Sequence, residues 1–483
     1  MTDFTYHTFQ IWIKKGHRLY PYFEQMGVDA KGLYNVTNFY IRQIYTSCRQ
    51  DKPLQPLQQE VMNTLHQYIE AMNERQLAAY QANIDKAQLK PLLERREIRC
   101  NLFELPSKVR PLVGYNFLDC LFKVMKQKDY LALSIQSSQA VMRLVCQNWK
   151  AFFASIKDYG QHPQKYTGKP RIPGYCRARE KEMLFSNQDC VIQEGKYLKL
   201  PKTRVRLNIG KLGCTDGKLK QVRVVPKYGQ YVVELVFERS IAVEARDKER
   251  FMAIDLGVDN LATLVTTTGS QPLLVKGKSI KAINQYYNKL KAHYTGILRQ
   301  GKAPKEGPHT SKRLAQLHRN RQRRIKDLFH KASYQIVKQA IEQNIGTIVM
   351  GKNDGWKQAV SIGRRNNQSF CHIPHHMLIA MIRYKAAEQG IAVQLTEEAY
   401  TSKASFLDHD PVPAYEEGRT RSFSGRRIGR GLYRSAKGLI NADVNGAANI
   451  LRKVVPNARA NGIAGLDGNQ SVNVSTPQVL SIR

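Results

Sequence analysis

Two aspartates far apart in the chain carry its strongest chemical signal. Asp255 closes an apolar run in FMAIDLGVDNLATL (Phe251 to Leu264), and Gly257 and a second apolar run follow it. Asp443 sits in GLINADVNGAANIL (Gly438 to Leu451), just before a row of small residues. Carboxylates are hard oxygen ligands, and two divalent cations held roughly 3.5 to 4 Å apart would clamp the attacking and leaving oxygens of a phosphodiester. A lone aspartate at a strand end is more often a turn former or helix cap. Both segments together, in this order, favour metal-dependent phosphodiester chemistry. The elements must then position them. The first pattern is a β-hairpin with Asp255 where one strand turns into the next, and the second is a tightly packed helix start.

In that order and context the two segments resemble the first and third motifs of the RuvC-type nuclease domain of the transposon-encoded TnpB family and its type V CRISPR effector relatives. The resemblance covers residues 246 to 455 by motif and the N-terminal half by layout. It implies a protein that carries a guide RNA and cuts matching double-stranded DNA beside a short flanking motif. Two Mg²⁺ ions would serve the cut, Asp255 bridging both, Asp443 and a third carboxylate holding one each. In the family that third group is a glutamate ending the second-motif strand. Here the strand is GTIVMGK, Gly346 to Lys352, and the position is Gly351. Either the site is silent, leaving a guided DNA binder that acts as a repressor, or the carboxylate has moved. The next strand, Ile391 to Leu395, belongs beside the Gly351 strand in an RNase H-type sheet and runs into Glu397 and Glu398. Glu398 is the first candidate, Glu397 the reserve and Asp354 a weaker stand-in. A type V-like effector with a repeat-derived guide and a strand-transferring transposase are the further alternatives.

Composition points to the same partners. The formal net charge is +37 and the pI about 9.9. Charge of that size repels itself unless a polyanion neutralises it. Arg319, Arg321, Arg323 and Arg324 crowd the first half of a helical stretch from Ser311 to Asn344 and are expected along the guide and target duplex. Arg426, Arg427, Arg430 and Arg434 suit a single strand. No long apolar run, lipid anchor or secretory signal stands out, so no membrane partner is expected. The expected setting is the cytoplasm of a prokaryote, at the nucleoid, with one or two copies of the chain on one RNA. The eight cysteines are scattered without a Cys-x-x-Cys pair, as in a reducing compartment.

At 483 residues the chain needs more than one domain. The expected fold is multidomain, α+β and α/β: an RNase H-like RuvC nuclease domain plus a wedge-type β-barrel with an inserted helical recognition domain. Strand-like alternation marks 1–30, helical spacing 31–160, and hairpin signals 161–245, with turns at Glu194-Gly195-Lys196 and Pro226-Lys227-Tyr228-Gly229. By the resemblance these are the first part of the barrel, the recognition domain and the second part of the barrel. The nuclease is expected over 246–400 and 438–456, a nucleic-acid-binding insertion over 401–437, and a disordered tail over 457–483. Family members commonly hold a structural zinc in that insertion with two Cys-x-x-Cys pairs. No cysteine follows Cys371 here, so no zinc is expected. Asp408, His409 and Asp410 read as a surface loop, with Phe406, Tyr415, Phe423 and Tyr433 packing the insertion. His372, His375 and His376 read as a helix start.

Overall fold

The structure, a computed structural model, describes the chain apart from residues 1, 2, 90, 92–96, 215, 216, 242–244, 304, 353–370, 417–420, 430, 461–470 and 483. It divides into two compact units, one of Phe4–Ser240 and one made chiefly of Ile241–Arg483.

The first unit runs from β1 (Asp3–Ile13) through five helices, α1 (Tyr20–Cys48), α2 (Pro56–Gln88), α3 (Tyr115–Val124), α4 (Lys128–Ala132) and α5 (Ile135–Gln161). Strands β2 (Met183–Ser186), β3 (Val191–Gln193), β4 (Tyr197–Lys199), β5 (Leu207–Asn208), β6 (Lys218–Lys227) and β7 (Gln230–Ile241) follow. Local chemistry explains the boundaries. Pro56 opens α2 behind a reciprocal Gln55 and Gln58 cap. The β6 to β7 hairpin turns through Tyr228 and Gly229, both at positive φ (52° and 69°), as a tight two-residue connection requires.

Three expectations change here. The strands pair as a four-stranded sheet, β1-β7-β6-β2, and a separate three-stranded one, β3-β4-β5, rather than one closed barrel. The helices begin at Tyr20, not near 31, because the charged Lys14 to Arg18 stretch is a turn that ends before α1. Nor are the helices a separate module. Phe23, Leu33 and Trp149 from helices share one buried cluster with Phe185, Val222 and Leu235 from strands.

The second unit opens with β8 (Asp247–Asp255), β9 (Asn260–Thr266) and β10 (Leu273–Lys276). Helices α6 (Lys278–Arg299) and α7 (Lys312–Glu342), strand β11 (Ile345–Gly351), helix α8 (His375–Ala387) and strand β12 (Ala392–Thr396) come next. A small sheet, β13 (Arg426–Gly429), β14 (Leu432–Ser435) and β15 (Gly438–Asn441), leads into α9 (Ala442–Arg452). The chain ends in short strands β16 (Arg459–Ala460), β17 (Ser471–Val472) and β18 (Gln478–Leu480).

The main sheet has the order β12-β11-β8-β9-β10-β18. Strands β8, β9 and β10 are an antiparallel meander, while β11 runs parallel to β8 and β12 parallel to β11. That is an RNase H-like arrangement. Residue alternation sorts the two faces: Met252, Ile254, Ile348 and Met350 pack in a cluster with α6, α7 and α8, and Ala253 and Val349 in another with α9. With helices on both faces, β9 is buried along its whole length. The tail, expected to be disordered from 457, instead supplies β18, whose Val479 pairs with Leu274 of β10 and so covers an otherwise open sheet edge. No helix among the described residues is long and apolar enough to cross a membrane.

Candidate active site

The alternation of β8 determines where Asp255 goes. Phe251 and Ala253 lie on the face toward α9, so Asp255, two further on, looks to the same side. There α9 brings Gly446, where a Cβ would stand 2.8 Å from Asp255 Oδ2. Only glycine lets the helix approach the carboxylate so closely. Asn441 caps α9, accepting from the amides of Asp443 (3.0 Å) and Val444 (3.2 Å), which sets Asp443 in the helix's first turn.

The strand on which the resemblance expects an acid is β11, where Gly351 stands opposite Thr396 of β12 in register. The chain leaves β12 at Thr396 and two residues later reaches Glu398, whose side chain occupies the room a residue-351 side chain would take. A Cβ on Gly351 would meet Glu398 Cγ at 2.5 Å. Glu397 turns elsewhere: its carboxylate accepts from the Tyr415 amide (3.0 Å) and faces Lys453 Nζ at 3.4 Å. Asp354 lies outside the described residues.

The electrostatics join the three acids. Burial, then the Asp443 charge, push Asp255 up to about 7, against the pull of Arg427 and of the Leu256 amide. Burial and then Asp255 push Glu398 up to about 8, with Lys453 opposing. Asp255 is thus the shared neighbour of the other two. The linkage is pairwise: among the described residues no three His, Cys, Asp or Glu side chains form a closed metal-binding group.

Several residues around these acids were not singled out for this role in the sequence. Asn445 and Asn449, one turn apart on α9, bond the segment that follows Glu398: Asn445 accepts from the Phe406 amide (2.9 Å) and donates to Ala404 O (2.8 Å), and Asn449 donates to Thr401 O (2.9 Å). Buried His375 meets Gly257 O at 3.2 Å, tying α8 to the loop after Asp255. Asn260 donates to Asp443 Oδ2 at 2.6 Å. These side chains come from elements far apart in sequence, so no local spacing marks them.

The arginines divide. Arg321 is tied within the protein, donating to Asn284 Oδ1 (2.8 Å) and His372 O (2.7 Å) and covering the Tyr287 ring. Arg323 and Arg324 line a cavity of about 620 Å³ between α6 and α7, with Tyr286 and Tyr294. Arg319 is half-buried beside them on α7. Arg427 faces Asp443 Oδ1 at 3.4 Å, so it acts on the acids directly. Arg426 and Arg434 are exposed and directly opposite each other across β13 and β14, and Arg430 lies outside the described residues.

The insertion is also corrected. Asp408 and Asp410 are not a loose surface loop but a polar hub. Asp408 Oδ2 accepts from Ser405 Oγ (2.7 Å), Ser424 Oγ (3.0 Å) and the Ala436 amide (2.9 Å), while Asp410 accepts from the Ser405 and Ser424 amides (2.8 and 3.0 Å). Phe406 and Tyr433 are buried as expected, but Tyr415 is 67% exposed and takes no part in packing.

The family described as probable transposase matches residues 230–357, and the Cas12f1-like TNB domain matches 375–450. This chain is similar to both over those segments. Among solved structures, a Cas12f1, sgRNA and target DNA complex is 12% identical with a TM-score of 0.41, covering 92% of this chain and 98% of that one. The mini-RNA-guided endonuclease CRISPR-Cas_phi3 is 9% identical at 0.41, covering 93% and 92%. Alicyclobacillus acidoterrestris C2c1 with single-guide RNA is 8% identical at 0.31, covering 87% and 69%. Comparison with curated proteins gives no match.

Proposed function

We propose that the chain is an RNA-guided DNA endonuclease whose cutting site is Asp255, Asp443 and Glu398. The observation that carries this reading is Glu398 standing in the space left by Gly351 and sharing Asp255 as its charged neighbour. A third carboxylate placed there replaces, from the adjacent strand, the group that β11 lacks. The donor set is all hard oxygen, which suits Mg²⁺, and the cradle at Gly446 leaves Asp255 Oδ2 close to the helix start where Asp443 sits. Magnesium held by the three acids would supply positive charge for the attacking and leaving oxygens of a phosphodiester. Lys453 moderates the charge of Glu398, and His375 fixes the loop behind Asp255.

The exposed pair Arg426 and Arg434 supports a nucleic-acid partner. Like charges directly opposite in a sheet repel, and a phosphate backbone would relieve that repulsion. With the net charge of +37, guide RNA and target double-stranded DNA are the fitting partners, with one or two copies of the chain on one RNA. Sequence choice would then rest on base pairing to the guide. No zinc is assigned to the insertion, whose polar hub occupies Asp408 and Asp410. The test is to purify the chain from cells carrying its flanking DNA, sequence the bound RNA, and assay cleavage of matching DNA. One abundant RNA with a constant scaffold and a variable end supports the reading, and only random fragments would sink it.

Gly351, standing where the resemblance expects a glutamate, favours one second reading, a guided DNA binder that does not cut. Glu398→Gln decides between them: it abolishes cleavage in the first and changes nothing in the second.

A further inference from the structure

Asp443 has two oxygens in unlike surroundings. Oδ1 faces the half-exposed side chain of Arg427 at 3.4 Å, a distance and exposure at which the pair is weakly held. Oδ2 takes a 2.6 Å hydrogen bond from Nδ2 of Asn260, which is 9% exposed. The far side of that amide is fixed in turn. Lys276 Nζ donates to Asn260 Oδ1 at 2.9 Å. An ammonium group has only donors, so the amide oxygen must face Lys276 and the NH₂ must face the carboxylate. The amide therefore cannot flip without losing both bonds. The backbone prepares this contact, since the register of β10 on β9 shifts between Val275 and Lys276, and the irregularity sets Lys276 opposite Asn260.

We infer that Asn260, locked by Lys276, is a positioning residue for the cutting site: it engages Oδ2 of Asp443 and presents Oδ1 as the atom that takes a divalent cation in exchange for Arg427. This rests on the reading of the acids as cation ligands. Partners that orient a metal-binding side chain in this way commonly govern affinity about 10- to 100-fold.

The test is Mn²⁺ binding to the full-length chain freed of nucleic acid, read by the electron paramagnetic resonance of the free ion, with melting temperature measured alongside. Asn260→Ala is expected to weaken Mn²⁺ binding about tenfold, and Lys276→Met about threefold. Lys276→Arg, which keeps a donor to the amide, is expected to bind like wild type. If Asn260→Ala does not fold, the contrast between Lys276→Met and Lys276→Arg decides alone: equal affinity in those two overturns the inference. Wild-type affinity in a folded Asn260→Ala, with Mn²⁺ binding lost in Asp443→Ala, overturns the positioning role and leaves the proposed site standing. Wild-type affinity in Asp443→Ala overturns both.

Discussion

Two carboxylate groups lie in the second unit, and α9 touches the surroundings of each, yet the protein treats them oppositely. At Asp255, Asp443 and Glu398 the acids face one another with few donors, and burial and mutual repulsion raise Asp255 and Glu398 to about 7 and about 8. At Asp408 and Asp410 the acids are wrapped in hydroxyl and amide donors. Burial alone would raise Asp408, but the bonds from Ser405, Ala436 and Ser424 outweigh it and hold the carboxyl below its usual range. The difference separates acids left facing one another, the group proposed to take a cation, from acids whose hydrogen-bonding capacity is met within the protein.

Breaking the first group should have the largest effect. Asp255→Asn is expected to reduce cleavage by about three orders of magnitude or more while sparing target binding, checked by parallel cleavage and gel-shift assays. The same change should stabilise the metal-free protein. A buried acid whose folded pKa is raised loses stability as pH climbs from its unfolded value, near 4, toward about 7, so the variant's advantage in melting temperature should grow across that window and then level off. A melting temperature that falls equally at pH 5 and pH 8 would contradict the assignment of burial as the cause.

An exchange within that group is the next test. Gly351→Glu alone should fail, because its side chain and that of Glu398 cannot share the same space. Combined with Glu398→Gly it should recover cleavage at least tenfold over Glu398→Gly alone, since the acid returns to β11; no recovery would show that the two positions do not serve one site. In the hub, Asp408→Asn should cost about 1 to 3 kcal/mol at pH 7 by loss of a charged acceptor. Here the sign reverses. The folded pKa is depressed, so that stability is present above the unfolded pKa and disappears as pH falls through the folded one, and melts of the two proteins should converge in acid. Chelators should leave this region's melting unchanged. The smallest expected effect is at the surface, where Arg426→Ala should lower the slope of log affinity against log salt for DNA by about 1.

What could be read from the sequence was local. Phe251 to Leu264 showed the hairpin, Gly438 to Leu451 the helix start, and GTIVMGK with Ile391 to Leu395 the neighbouring strands, because each rests on a period of two or on a row of small residues within one segment. There Glu398 could be ranked ahead of Glu397 but not chosen outright, since both leave the same strand; in space Glu397 pairs with Tyr415 and Lys453, while Glu398 fills the room beside Gly351. Asn260, Lys276, Asn445 and Asn449 were invisible for a related reason: an asparagine looks the same whether it caps, turns or orients an acid, and its partner here lies on another strand or helix. Asp408 and Asp410 misled because a run of acids around one histidine resembles a solvated loop until Ser405 and Ser424 close on it.

Strand β18 joins the main sheet by pairing Leu273 with Gln478. Those two residues leave the ribosome far apart in time: at about 5 to 20 residues per second, the sheet would wait roughly 10 to 40 s for its edge. Asp443 on α9 arrives nearly as late relative to Asp255. A nascent chain can therefore form the β8 to β10 meander long before it holds the second acid, so the grouping of Asp255, Asp443 and Glu398 is complete only once α9 has been made.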